Sequence, residues 1–388
     1  MNYKQTLKEM AKLHSESLFI SRKFGKILKL TRIVEAAKKL DNPEKKLKLI
    51  HIAGSNGKGS VSAMVYSVLK ESGYSVGLYT SPNLVDIRER IVLNDKKISK
   101  KDFTRIYCLI KKKKVKLSFF EMVTMIAFQY FFEKKVDYAV IEVGLGGSYD
   151  ATNIIRPVAT AITTISLEHT NILGNSFDKI LLNKAGIIKQ NIPLFTRINS
   201  KLLKKICEKK NAEYVIVSGK KKTDLKGEFQ KKNAAIAFEI CKHIGIKQKI
   251  IAKGLMKVYW PARLDFIEKN VLMDCAHNID GVKNLSKFIK SYKHSKLFII
   301  FTAMKDKKFN QMIKLLPKFD EIIFTKIHSD RCVDFSKIKM KKSIFIKDPI
   351  SALSYVKKKA SKNDLILVCG SCYLAGELFK KLGIEVWK

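Results

Sequence analysis

Between Gly54 and Ser60 the chain reads Gly-Ser-Asn-Gly-Lys-Gly-Ser. Three glycines in seven positions let backbone N–H groups turn toward a common centre and approach an anion closely. Lys58 adds a full positive charge suited to β- and γ-phosphates, and Ser60 a hydroxyl suited to Mg²⁺. Gly54, Asn56, Gly57, Lys58, Gly59 and Ser60 therefore read as a cradle for a nucleotide's polyphosphate tail. The spacing is G-x-x-G-K-G-[ST], with an extra glycine between lysine and hydroxyl relative to the common G-x-x-x-x-G-K-[ST]. A glycine-rich turn with a solvated lysine is the plain alternative.

Other polar residues stand where apolar runs end. Ser81 follows Ser75–Tyr79, Glu142 lies near the end of VDYAVIEV at 136–143, and His169 follows Val158–Ile165. Each has an ordinary reading: a Ser-Pro turn, an exposed acid, a satisfied structural histidine. Three such residues at strand ends on one side of one sheet instead suggest ligands, because open α/β sheets bind at the carboxyl ends of their strands. Lys184 sits in the apolar stretch ILLNKAGII, where burial lowers an ammonium's pKa and makes it reactive. Glu121 opens an apolar helix, as a partner for the helix dipole or as the lining of a pocket.

The elements that must position these groups follow from periodicity. LKLIHIA reads as a strand, and Val61, Met64, Val65, Val68 and Leu69 fall on one face of a helix. Strand, tight loop and helix is the setting in which a glycine loop binds phosphate. Helices are expected at Thr6–Leu18, Ile27–Leu40, Phe119–Phe132, Phe177–Ile188 and Phe229–Ile244. Near Trp260-Pro261 the periodicity breaks, and a second alternating unit begins. The expected fold is α/β: a P-loop-type, mostly parallel sheet in residues 1–258 and a smaller Rossmann-like domain in 259–388.

The chain has 388 residues, 46% of them hydrophobic, with a net charge of +41. No apolar run reaches the ~18–20 residues of a membrane span, and no secretory signal is evident, so the cytoplasm is the expected location. Only nine of the 76 basic residues are arginine, and the lysines are spread throughout. That pattern fits a compositional bias better than a nucleic-acid surface. Seven scattered cysteines imply reduced thiols. The lone Cys369-Gly-Ser-Cys372 reads as a strand-to-helix turn, with a redox or metal role as the alternative.

Several strings in one order resemble the folylpolyglutamate synthase / dihydrofolate synthase family of the Mur ligase superfamily. They are HIAGSNGKGS (51–60), YTSPNLVDIRERI (79–91), SFFEMVT (118–124), IEVGLGGSYDATN (141–153), ISLEHTNILG (165–174), NKAGIIK (183–189), QKKNAAIAF (230–238), WPARL (260–264), DCAHN (274–278) and CGSCYLAGE (369–377). The resemblance implies ATP on the loop with Lys58. It implies Mg²⁺, as two ions, held by Ser81, Glu142, His169 and a carbamylated Lys184. Asn233, Arg263 and Asp274 would close over the nucleotide. Ser118, Phe119, Phe120, Glu121, Tyr149, Asp150 and Ala151 would contact a pterin, and His277 would serve the glutamate side. Asn83, Ser148, Glu168 and Asn183 depart from the family's usual residues, and the N-terminal pterin segment is matched only at Leu28–Ile33.

These matches imply a monomeric ATP-dependent ligase joining L-glutamate to dihydropteroate, to a tetrahydrofolate, or to both. Asp150-Ala151 resembles the form found in members that accept dihydropteroate. Two alternatives stand beside this reading: a muramyl-peptide-type amino acid ligase, and a nucleic-acid-binding P-loop ATPase suggested by the charge.

Overall fold

The computed structural model describes residues 1–13, 30–338 and 340–387. The expected helix at 6–18 is described as Tyr3–Ala11 and that at 27–40 as Thr31–Lys39; residues 14–18 of the first and 27–29 of the second, with 28 and 29 of the pterin segment, lie outside the described residues.

Two sheets organise the chain. The first has eight strands: β1 (Leu49–Ala53), β2 (Val76–Tyr79), β3 (Ile91–Leu93), β4 (Lys96–Lys97), β5 (Tyr138–Glu142), β6 (Ala159–Ile162), β7 (Leu194–Thr196) and β8 (Tyr214–Ile216), in the order β4-β3-β2-β5-β1-β6-β7-β8. β2, β5, β1, β6, β7 and β8 run parallel, and β3 and β4 add an antiparallel edge. All five residues of β1 are buried, as a central strand covered on both faces requires. Helices Lys58–Glu71, Glu228–His243 and Gln248–Leu255 close one face with Val61, Val65, Ile236 and Ile251. Helices Lys100–Lys112 and Phe119–Glu133 close the other with Phe103, Ile106, Val123 and Phe128. At about 1.5–3 kcal/mol for each fully buried large apolar side chain, these two layers supply the main stabilisation of the sheet.

The second sheet comprises β9 (Asp265–Glu268), β10 (Val271–Met273), β11 (Leu297–Phe301), β12 (Glu321–Phe324), β13 (Ser343–Phe345) and β14 (Leu365–Cys369), in the order β13-β12-β11-β14-β10-β9. Only β9 is antiparallel to its neighbour. It too is packed on both faces, by separate clusters around Leu378–Phe379 and around Phe301, Phe324 and Phe335. The antiparallel strands β3, β4 and β9 and the helix Lys100–Lys112 were not anticipated: the strands are too short, or too rich in charge, for period-2 alternation to register.

The two units touch closely. Helix Cys372–Leu382 runs against the loop after β2, where a Cβ on Gly376 would lie 2.0 Å from Leu84 O. Trp387 reaches back to the first unit, its ring 6.2 Å from Tyr66 and 6.3 Å from Trp260. Gly376→Ala is expected to wedge this contact apart at a cost of about 1–3 kcal/mol. Thermal melting checks it: an unchanged midpoint would mean the contact carries no load.

Candidate active site

β2, β5, β1 and β6 stand side by side, and their carboxyl ends carry the polar groups. Leaving β1, the chain turns through Gly54 at φ +148° and Gly57 at φ +88° before helix Lys58–Glu71 begins. The loop lies flat on the end of β6: a Cβ on Gly54 would fall 1.9 Å from Thr163 Oγ1. The hydroxyls of Thr163 and Thr164 donate to Asn56 O at 2.7 and 3.0 Å. Lys58 Nζ folds back onto Gly54 O at 3.1 Å and Ser55 O at 3.3 Å. Gln230 Nε2 donates to Ser60 Oγ at 3.0 Å, and Asn233 Nδ2 donates to Gln230 Oε1 at 2.9 Å. The sequence reading passed over Gln230, although three residues before Asn233 on one helix is the same face.

Ser81 N donates to Glu142 Oε2 at 3.1 Å, joining the ends of β2 and β5. Burial raises the Glu142 pKa, opposed by Lys58, the Ser81 amide and Arg263. His169 adopts a left-handed backbone, φ 51°; burial, then repulsion from Lys307, brings its imidazole down to about 4, so it stays neutral with a lone pair to offer. Lys184 is buried and donates to Gly54 O at 2.9 Å; burial, then Lys58, lowers it to about 7. Glu142, His169 and Lys184 therefore all lie within the field of one ammonium, Lys58.

Among the described residues no three His, Cys, Asp or Glu side chains form a closed cage. One buried carboxylate with a single backbone donor and one neutral imidazole remain on offer. That sparse set fits Mg²⁺, which keeps phosphate oxygens and waters in its shell.

On the substrate side, several groups expected to meet a ligand are engaged internally. Ser118 and Glu121 form a reciprocal helix cap, and Glu121 Oε2 is 3.1 Å from Arg32 Nη2. Asp150 is buried and accepts from Leu145 N, Thr152 N and Thr152 Oγ1, so it shapes the loop. Ala151 is buried, and the Phe120 ring lies where a Cβ on Gly144 would come within 2.4 Å. Phe119 and Tyr149 are the more accessible members, with Tyr149 half-exposed. Where Asn183 departs from the family's acid, its backbone oxygen accepts from Ser148 N and Oγ at 2.8 and 2.9 Å.

The second unit contributes a loop. Asp274, expected to close over the nucleotide, accepts from Leu264 N at 2.9 Å and Ala276 N at 2.8 Å, which braces the segment that carries Arg263 and His277. Arg263 donates to Ala262 O at 3.1 Å; burial opposes its charge, but Cys275, Cys372 and Asp274 hold its pKa up. His277 donates from Nδ1 to Cys275 O at 2.9 Å, and its Nε2 lies 3.8 Å from Glu168 Oε1. Lys307 Nζ is 3.8 Å from the same oxygen. Asn56 and Asn278 exchange side-chain hydrogen bonds of 3.3 and 2.8 Å across the two units. The seven cysteines are free, and Cys369 and Cys372 flank a strand-to-helix turn.

Known proteins share this arrangement. The Mur ligase middle domain model matches residues 52–259, and the Mur ligase, glutamate ligase domain model matches residues 262–372. The dihydrofolate synthase/folylpolyglutamate synthase of Bacillus subtilis (strain 168) is 32% identical, over 93% of this chain and 96% of the relative. The folylpolyglutamate synthase of Thermotoga maritima superposes with a TM-score of 0.82 at 30% identity, covering 98% and 97% of the two chains. The Yersinia pestis bifunctional enzyme, solved with AMPPNP and Mn ion, shares the fold with a TM-score of 0.89 at 24% identity over 99% and 98% of the chains. With family models over both units and a relative aligned along nearly its whole length, the chain belongs to the dihydrofolate synthase/folylpolyglutamate synthase family of Mur ligases.

Proposed function

We propose that this protein is an ATP-dependent ligase that forms an amide between L-glutamate and the carboxylate of dihydropteroate, of a tetrahydrofolate, or of both. The single observation that carries the reading is that Glu142 at the end of β5, His169 beyond β6 and Lys184 at the end of helix Phe177–Lys184 all lie within the field of Lys58, with Arg263 of the second unit acting on Glu142. Residues 1–258 would bind ATP and the pterin acid, and residues 259–388 would bring the glutamate side.

A carboxylate is a poor electrophile because it is anionic. In the proposed reaction its oxygen bonds to the γ-phosphorus of ATP as the bond to the β-phosphate oxygen breaks, releasing ADP. The glutamate amine then attacks the acyl carbon, the carbon–oxygen bond to phosphate breaks, and the nitrogen gives up a proton. Lys58 and Arg263 supply positive charge where the anions meet. Ser81, Glu142, His169 and a carbamylated Lys184 would hold Mg²⁺, as two ions, which when bound screens the phosphate charge. The loop amides at 54–60 orient the phosphates, with Asn233 beside Gly57. Phe119, Phe120, Tyr149 and Ala151 line the pterin side. Ser118, Glu121 and Asp150 shape it from behind. The Asn56–Asn278 pair and the Glu168–His277–Lys307 cluster hold the units together, which keeps water from the acyl phosphate.

The test is ADP release measured with dihydropteroate and tetrahydrofolate separately, each with and without L-glutamate. Release that requires glutamate and either acid supports the ligase. Release stimulated by nucleic acid, or only by a UDP-linked peptide, would replace it with one of the alternatives.

A further inference from the structure

The sequence marks Cys369-Gly-Ser-Cys372 as a candidate thiol pair, and the fold divides it. Cys369 ends β14 and packs with Phe301 and Phe324 on one face of the second sheet. Cys372 opens helix Cys372–Leu382 and packs with Leu374 and Leu378 on the other. The thiol that Cys372 meets is Cys275, which shares that cluster and lies in the loop after β10. The two side chains hydrogen-bond to each other, and Cys372 Sγ also donates to Cys275 O at 3.9 Å. The same oxygen accepts from His277 Nδ1 at 2.9 Å. The His277 ring is hydrogen-bonded to Cys372, and the Arg263 guanidinium to Cys275. The first turn of the helix adds its own partial positive charge.

The bond from Cys275, then Arg263 and His277, lowers the Cys372 thiol well below its ordinary range against the effect of burial. Burial, then Cys372, raises Cys275 well above it, so the pair shares one proton. Burial raises the thiols of Cys241 and Cys369, which have no such cations beside them and are inert. Cys372 keeps 7% of its surface and the adjacent Tyr373 43%, so the start of the helix is open to a small solute.

We propose that Cys275 and Cys372 form an oxidisable dithiol, which a small hydroperoxide such as hydrogen peroxide converts into a disulfide beside Arg263 and His277. The Cys372 thiolate attacks a peroxide oxygen, the O–O bond breaks, and the hydroxide released takes up a proton, leaving a sulfenic acid on Cys372. The Cys275 sulfur then bonds to the Cys372 sulfur as the S–O bond breaks, and the hydroxide leaves as water with the Cys275 proton. The two sulfurs lose two electrons, and one peroxide becomes two waters. The disulfide takes from His277 and Arg263 the thiols they now contact and ties the helix to the loop, which suspends ligation. That consequence rests on the ligase reading; the disulfide does not.

The test uses the full chain, reduced and then treated with hydrogen peroxide. In the wild type the seven thiols titrated after denaturation fall by two, and a peptide map made without reductant joins Cys275 to Cys372. Glutamate-dependent ADP release is lost in step with them, and dithiothreitol restores both. Cys275→Ser stops at the sulfenic acid, which dimedone captures on Cys372. Cys372→Ser slows thiol loss about 10-fold or more, the scale of losing a thiolate at neutral pH. Cys369→Ala keeps the wild-type linkage, and the wild-type map itself needs no variant to fold. Seven thiols surviving peroxide, or a link between Cys369 and Cys372, overturns the dithiol. A Cys275–Cys372 disulfide with undiminished ADP release overturns its control of the site. A reduced enzyme that releases no ADP overturns the ligase reading, and the peptide map still decides the disulfide.

Discussion

Lys58→Ala is expected to lower glutamate-dependent ADP release about 100–1,000-fold, with the fold retained. The size follows from removing one preorganised cation from the point where phosphate charge shifts in the transition state. The fold is retained because, among the described residues, Lys58 bonds only to the carbonyls of Gly54 and Ser55 and pairs with no carboxylate. A second signature separates this from misfolding. Lys58 is one of the charges that lower the Lys184 pKa, so its removal raises that pKa above the wild-type value of about 7. Steady-state kinetics, melting and titration of Lys184 together check the prediction. Near-normal turnover would remove Lys58 from the site.

Lys184→Ala is expected to reduce turnover by at least 100-fold. A carbamate forms from the neutral amine and CO₂, and at neutral pH an ordinary lysine offers almost none. Burial, then Lys58, brings the Lys184 pKa to about 7, so roughly half of the amine is neutral near that pH. As the pH falls below 7 the ammonium returns and the proposed carbamylation would be lost; above 7 the neutral fraction saturates. Activity in CO₂-equilibrated buffer should therefore rise through pH 7 and fall when CO₂ is stripped. Labelled bicarbonate should give a carbamate carbon signal in the wild type that Lys184→Ala lacks. The opposite stability effect accompanies it. A lysine whose folded pKa is depressed destabilises the fold below its unfolded pKa, so Lys184→Ala loses an unfavourable buried charge and its melting point should not fall in step with its activity. A wild type indifferent to CO₂, without the carbon signal, would exclude the carbamate.

Much of this site can be read from local sequence. The glycine run at 54–60 needs only its flanking strand and helix to be recognised, since backbone geometry and a helix N-terminus are set within about twenty residues. Strand-end polar residues such as Glu142 are marked by the apolar runs that precede them. What those positions touch is another matter. Asp150, Asp274 and Glu121 have the residue types of ligand contacts, and their oxygens also accept from amides, a hydroxyl and, for Glu121, an arginine, bonds that the sequence does not announce. No spacing rule distinguishes an acid that caps a loop from one that meets a guest.

The chain's letters alone determined the two alternating α/β units, the glycine loop between strand and helix, and the order of the motifs, because these depend on periodicity and on short-range backbone geometry. Only the tertiary structure decided that Lys58 acts on Glu142, His169 and Lys184 together and that Gln230 links Ser60 to Asn233. The reason is physical. Fields and hydrogen-bond satisfaction depend on distance in space and on desolvation, and strands far apart in sequence set both when the sheet brings their ends together.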